Sequence, residues 1–225
     1  MVRALDRSGA FSRRQALPGQ NRAWLRRRED WLMEDELFDL LAARRGHFRL
    51  ESGHHGDLWL DLELLCFHPA KVKRLAHELA ERMAKFRIEM VCGPLVEGAL
   101  VGLLVAAELG VEFSYSEPHS SANSSGLYPV RYRLPVPLRS KVGGKRVAIV
   151  NDVINAGSAV RGTVLDLTSC GANPVAIGAL LILGDSIRSF AAANNLNVES
   201  IAAAPNVLWE PAVCPLCAAN RPLDN

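Results

Sequence analysis

From Glu34 onward the apolar residues fall into short, regular groups separated by glycine, proline and small polar residues. Leu37, Leu40 and Leu41 share one face of a short amphipathic helix that stops at Gly46. Residues 47–52 and 57–62 read as extended segments joined by a turn over Gly53-His54-His55-Gly56. Pro69 opens a long helix in which Val72, Leu75, Ala76, Leu79, Ala80 and Met83 form one buried face. The chain then alternates. Strands are predicted at 88–92, 111–115, 128–134, 146–150, 175–183 and 198–203, and helices at 96–109, 157–170 and 186–194. Gly110 and Gly171 close the first two of these helices. Residues 119–126, rich in Ser, Asn and Gly, read as a flexible loop.

This alternation predicts an α/β fold, a mostly parallel twisted sheet flanked by helices on both faces. Ligands bind such sheets at the carboxyl ends of the strands, so chemistry is expected in the turns after Cys92, Tyr115, Val150 and Leu183.

Composition narrows the class. With 225 residues, 49% hydrophobic and 22% charged, the chain has the balance of a soluble domain large enough to need no disulfide framework. Disorder, collagen and coiled coil are excluded. The five cysteines are odd in number and widely spread, which fits reduced thiols and a cytoplasmic protein. The apolar stretches at 98–109 and 175–183 are too short or interrupted to span a bilayer.

Charge is uneven. Residues 1–33 hold eight arginines against Asp6, Glu29 and Asp30, with no sustained apolar face. They read either as a disordered basic arm or as translation from a start upstream of Met33, and no uninterrupted apolar region follows to make a signal peptide. Without them, residues 34–225 hold 18 basic and 21 acidic side chains, a formal net charge of −3 in place of +2 for the whole chain. The compact part is therefore mildly acidic, and the arm lacks the aromatic interleaving expected of an RNA-binding segment.

The most informative stretch runs from Val147 to Ala159. Val147-Ala148-Ile149-Val150 make a buried strand, Asn151 and Asp152 follow at its end, and Asn155-Ala156-Gly157-Ser158-Ala159 form a turn of small residues that opens a helix. Backbone N–H groups exposed at a helix N-terminus suit a phosphate, Ser158 can add a donor, and Asp152 can accept from sugar hydroxyls. The frame of a Walker loop is missing.

This stretch resembles the phosphoribosyl pyrophosphate (PRPP) motif of the type I phosphoribosyltransferases. The resemblance covers most of residues 34–225 and is closest to the orotate phosphoribosyltransferases. Gly46-His47-Phe48-Arg49-Leu50-Glu51-Ser52-Gly53 is similar to that family's opening motif, Trp59 falls where it keeps an aromatic beside the base, and Pro94-Leu95-Val96-Glu97-Gly98 is similar to its pyrophosphate loop. The resemblance implies a PRPP domain with a small N-terminal hood at about 34–65 and a tail at about 205–225. It also implies a homodimer, and transfer of phosphoribosyl from PRPP to a nucleobase with release of pyrophosphate. Mg²⁺ would be the cofactor, held mainly by the substrate, and no protein ligand is assigned to it. In the family the second acid, here Asp152, contacts the ribose hydroxyls and the loop at 155–159 holds the 5′-phosphate.

The departures from the family are concrete. Asn151 replaces its first acid and Asn155 a usual threonine. His54 and His55 stand where a basic residue follows Ser-Gly. The lysines of its mobile loop are absent, there being no Lys between Tyr115 and Lys141, and Leu183-Gly184-Asp185 lacks the arginine that meets the orotate carboxylate. Arg131 and Arg133, on one face of a strand, could clamp the leaving group in place of the lysines or form a solvated strand face. His55 and His54 could contact pyrophosphate or base, or simply line a turn. Trp59 could stack on the base or lie in the core, and His119 could reach over the site. Cys214 and Cys217 form a single CxxC with no neighbouring histidine in sequence; zinc there would need further ligands, for instance from a second subunit, so the segment reads as a structural tail. Three functions remain at this point: a phosphoribosyltransferase acting on orotate or another base, a non-catalytic sensor of PRPP or nucleotide, and an RNA-binding arm.

Overall fold

The computed structural model describes residues 33–50, 53–120 and 130–224. Expectations for residues 1–32, Glu51, Ser52, the loop at 121–126 and the strand start at 128–129 lie outside these. Helix α1 covers 33–40 and leads into a hairpin of β1 (Arg44–Arg49) and β2 (His55–Trp59). A 3-10 turn, Leu62–Phe67, precedes α2 (Pro69–Met83), whose buried residues are the six named from the sequence. Burying each of its large apolar side chains contributes about 1.5–3 kcal/mol. The alternating part follows as β3 (Met90–Pro94), α3 (Glu97–Leu109), β4 (Glu112–Ser120), β5 (Val130–Arg133), α4 (Val136–Arg139) and β6 (Arg146–Ile154). It continues with α5 (Ser158–Ser169), β7 (Asn173–Leu183), α6 (Ser186–Ala193) and β8 (Asn197–Ala204). The chain ends in β9 (Leu208–Trp209) and α7 (Pro215–Ala218), which the sequence pattern had not suggested.

Six strands form the main sheet in the order β5-β4-β3-β6-β7-β8, parallel except for β5 at one edge. Successive residues along a strand face opposite layers. In β6, Ala148 and Val150 pack with α1, α2 and α3, whereas Val147 and Ile149 pack with α5 and α6. The predicted α/β sheet covered on both faces is therefore present. A second, three-stranded sheet, β1-β2-β9, joins the N-terminal hairpin to the C-terminal segment. No helix among the described residues is long and apolar enough to cross a membrane.

Two strands run further than expected. β6 continues to Ile154, so Asp152 lies within the strand and not after it, because β7 stays paired with β6 up to Ile154↔Ile182. β4 continues to Ser120 because β5 supplies an antiparallel partner, which places His119 opposite Arg131 in a ladder and not in a loop. Pro118 is tolerated there because β3 leaves the other edge of β4 after Ser116.

Candidate active site

Strand order reverses between β3 and β6. β3 continues through α3 to β4 on one side, and β6 through α5 to β7 on the other. A crevice at the carboxyl ends of the strands opens at such a switch point, and it is the general ligand position of these sheets. Here β3 and β6 are paired only as far as Cys92↔Ile149, so Asn151 and Asp152 stand just where the strands part.

Close backbone packing brings the two loops together. A Cβ on Gly93 would lie 2.5 Å from the Ala99 Cα and 2.6 Å from the Gly98 carbonyl oxygen, so the start of α3 rests directly on the end of β3. A Cβ on Gly98 would overlap the Asn151 carboxamide. The Leu95 N–H donates to the Ser116 carbonyl at 2.9 Å, fixing the loop to β4, and the Leu95–Val96 peptide is cis. Pro94–Gly98 and Asn151–Ala159, separate in sequence, thus meet at the switch point.

The second loop is built to accept an anion. Gly157 caps α5 at φ 79°, a left-handed conformation that glycine adopts without strain, and no side chain caps the helix. The first intrahelical bond runs from the Arg161 N–H to the Gly157 carbonyl at 2.8 Å, which leaves the preceding N–H groups unmatched within the helix. Their dipoles add at that point. Two side chains missed from the sequence brace the loop from behind. Asn206 donates to the Asn155 carboxamide oxygen at 2.8 Å. Arg161 donates to the carbonyls of Ala156 (3.3 Å) and Ser186 (2.9 Å), its guanidinium 4.6 Å from the Phe190 ring centre. An arginine in a first helical turn opposes the helix dipole, and that anomaly is the signal by which the sequence could have shown it.

Electrostatics link further side chains to Asp152 and Glu97. Asp152 is 5% exposed, and burial pushes its carboxyl up to about 6; hydrogen bonds to the backbone of Val153 and of Asp152 itself pull the other way, and the Glu97 charge adds to the rise. The Cys66 thiol is raised by burial, then by Glu97 and Asp152, and the Tyr132 phenol by burial, then by Asp152 and Glu97. Four side chains, from the 3-10 turn, α3, β5 and β6, therefore share one field. Cys66 and Tyr132 carried no motif in the sequence. Neither Asp152 nor Glu97 has an ion-pair partner among the described residues.

Asn151 donates from Nδ2 to the Val153 carbonyl at 2.8 Å. Restoring the family's acid there would turn a donor into an acceptor facing a carbonyl oxygen. Asn151→Asp is expected to lower stability by about 1–3 kcal/mol in denaturant unfolding, despite bringing the motif closer to its relatives.

The remaining candidates are distributed differently. Arg131 and Arg133 are exposed and line a cavity of about 600 Å³ together with Ser158, Arg161 and Phe190, beside the loop at 155–159; Asp152 is not part of that cavity's wall. Trp59 leans on Phe48, ring centres 5.6 Å apart, and its indole N–H donates to Asp61 at 2.6 Å, so it helps to seal the hairpin. His55 is buried, with Nδ1 3.0 Å from His47 Nε2, which removes it from the catalytic set. His54 lies half-buried just before β2.

No family model matches the chain. It is 31% identical over 181 residues to the orotate phosphoribosyltransferase of Pelotomaculum thermopropionicum, covering 80% of this chain and 88% of the relative. It is 30% identical over 193 residues to that of Desulforamulus reducens, covering 84% and 93%. Among solved structures, the orotate phosphoribosyltransferase of Aeropyrum pernix shares the fold with a TM-score of 0.59 at 21% identity, over 75% of this chain and 92% of that one. Identity of this order along nearly the whole length of both relatives places the chain in the orotate phosphoribosyltransferase family of enzymes.

Proposed function

We propose that the protein transfers the phosphoribosyl group of PRPP to a ring nitrogen of orotate, a step of pyrimidine nucleotide synthesis. The observation that carries this reading is the buried Asp152 beside the uncapped N-terminus of α5 at the switch point. The N–H groups at Gly157, Ser158 and Ala159 receive the 5′-phosphate, the Asp152 carboxylate accepts hydrogen bonds from the ribose hydroxyls, and the start of α3 faces the pyrophosphate. With the sugar held at both ends, the bond from the anomeric carbon to the pyrophosphate oxygen breaks, its electron pair leaving with pyrophosphate, as the bond to the base nitrogen forms and that nitrogen's proton passes to solvent. The work is positioning, together with stabilisation of the cationic ribose by the fixed carboxylates.

Mg²⁺ fits this place. Asp152 and Glu97 are carboxylates in one field without a cationic partner, and Mg²⁺ takes oxygen donors while keeping few protein ligands. Held mainly by the substrate next to these residues, it would neutralise charge on the leaving pyrophosphate. Arg131 and Arg133 supply cationic charge near the phosphate loop in a chain that lacks the family's loop lysines.

A homodimer in the cytoplasm completes the reading. It is supported by Val96, Leu100 and Leu103, exposed at 61, 45 and 49% and spaced to form one stripe beside the site, and by five cysteines of which none is in a disulfide. Sedimentation equilibrium is expected to give a dimer, and Leu103→Glu to shift it to monomer.

The test is turnover. Protein, Mg²⁺ and PRPP with orotate should release pyrophosphate and form the nucleotide, whereas uracil and adenine should give little. Nucleotide formed faster with another base would overturn the orotate assignment, and binding of PRPP without turnover on any base would favour a sensor.

A further inference from the structure

Where the C-terminal segment crosses the N-terminal hairpin, four side chains of metal-ligating chemistry converge: His47 of β1, His55 of β2, and Cys214 and Cys217 at α7. Their ligating atoms all lie within 4.8 Å of one another. His47 Nε2 is 3.0 Å from His55 Nδ1, 3.5 Å from Cys214 Sγ and 3.7 Å from Cys217 Sγ, and Cys217 Sγ is 3.3 Å from His55 Nδ1. With metal bonds of about 2.0–2.1 Å to nitrogen and 2.3 Å to sulfur, a regular tetrahedron has edges of about 3.4 Å between nitrogens and about 3.6 Å between nitrogen and sulfur. These four separations match those edges to within a few tenths of an ångström, and the other two lie within 4.8 Å.

The surroundings match a ligand set. His47 Nδ1 lies 2.8 Å from the Arg221 carbonyl oxygen, which can only accept, so Nδ1 carries the proton and Nε2 turns its lone pair into the cluster. This outer hydrogen bond is the usual support of a metal-bound histidine. Asp224 accepts from the His47 N–H at 2.8 Å and donates its own N–H to the His47 carbonyl at 2.7 Å, holding the tail along β1. Cys214 precedes α7 and Cys217 follows one turn later, which aims both thiols at the hairpin. His47, His55 and Cys214 are 1, 7 and 2% exposed.

We propose that His47, His55, Cys214 and Cys217 bind one Zn²⁺ that fastens the C-terminal segment to the hood hairpin. Two imidazoles and two thiolates in tetrahedral array select zinc. Four protein ligands fill its coordination, so the site is structural and stands apart from the PRPP crevice. The clasp bears on that crevice only by holding in place the segment whose Asn206 braces Asn155.

Elemental analysis of the full-length protein, purified without added metal, is expected to find about one zinc per chain, falling below about a tenth of that in Cys217→Ser and in His55→Ala. Exchange into Co²⁺ should give the intense visible bands of a tetrahedral ion with a thiolate-to-metal charge-transfer band. Chelation should lower the melting temperature of the wild type and leave that of Cys217→Ser unchanged. Where a variant does not fold, the metal content and cobalt spectrum of the unaltered protein decide. A wild type lacking zinc, with both thiols reacting freely with a disulfide reagent, would overturn the proposal. A Cys214–Cys217 disulfide, or iron in place of zinc, would overturn it equally.

Discussion

Replacing Asp152 by asparagine is expected to lower kcat by about 10²–10³-fold, the usual loss when a group aimed at the reacting centre is neutralised, and at the same time to make the protein more stable at neutral pH. The second effect follows from burial. The Asp152 carboxyl is raised from 3.8 to about 6 in the folded state. Between those values the unfolded chain has released the proton that the folded chain retains, so stability falls as pH rises through this window. Above about pH 6 the full cost remains, roughly 3 kcal/mol at 1.36 kcal/mol per pKa unit. Asparagine is neutral throughout and escapes it. Thermal melts should therefore show the variant several degrees more stable near pH 8, with the difference vanishing as pH drops toward 4. In the wild type, kcat/KM should decline below about pH 6, and the variant's residual activity should lack that decline. A variant less stable than the wild type near pH 8 would show that Asp152 is held by charge partners and not strained by burial.

The second large effect is expected at Gly93. A Cβ there meets two backbone atoms, the Ala99 Cα and the Gly98 carbonyl oxygen, and neither can move without shifting the start of α3. Gly93→Ala should cost about 3 kcal/mol or more in denaturant unfolding, the upper end for overpacking, and raise the KM for PRPP because the pyrophosphate loop is displaced. Gly98→Ala is the control. Its first neighbour is the Asn151 side chain, which can rotate away at the loss of one hydrogen bond, so about 1 kcal/mol is expected. Equal losses for the two variants would contradict the packing described.

These two positions also show how far the sequence could be read. The buried face of α2 was legible residue by residue, since one helix of fifteen residues displays its full period in a continuous stretch. The loop at 155–159 was legible for a related reason: strand, acid, small turn and helix are adjacent in the chain. Strand ends were harder. Val153 and Ile154 extend β6 because β7 continues beside them, and β5 extends β4 to Ser120, partnerships that local pattern does not encode. Cys66 and Tyr132 come under the field of Asp152 and Glu97 through tertiary packing alone. The metal-ligating cluster was furthest from reach. His47 and Cys214 are separated by 167 residues and come together through β9, a two-residue strand too short to show any periodicity. His55, read as a site residue from its place after Ser-Gly, belongs to that cluster instead.

In the proposed function PRPP is held at the β3/β6 switch point by Asp152 and the N-terminus of α5. A crystal structure with PRPP and Mg²⁺ is the decisive measurement. The 5′-phosphate is expected on the N–H groups of residues 157–159 and the ribose hydroxyls on the Asp152 carboxylate. A 5′-phosphate seated among Arg131, Arg133 and Arg161, with Asp152 facing no ligand, would contradict it.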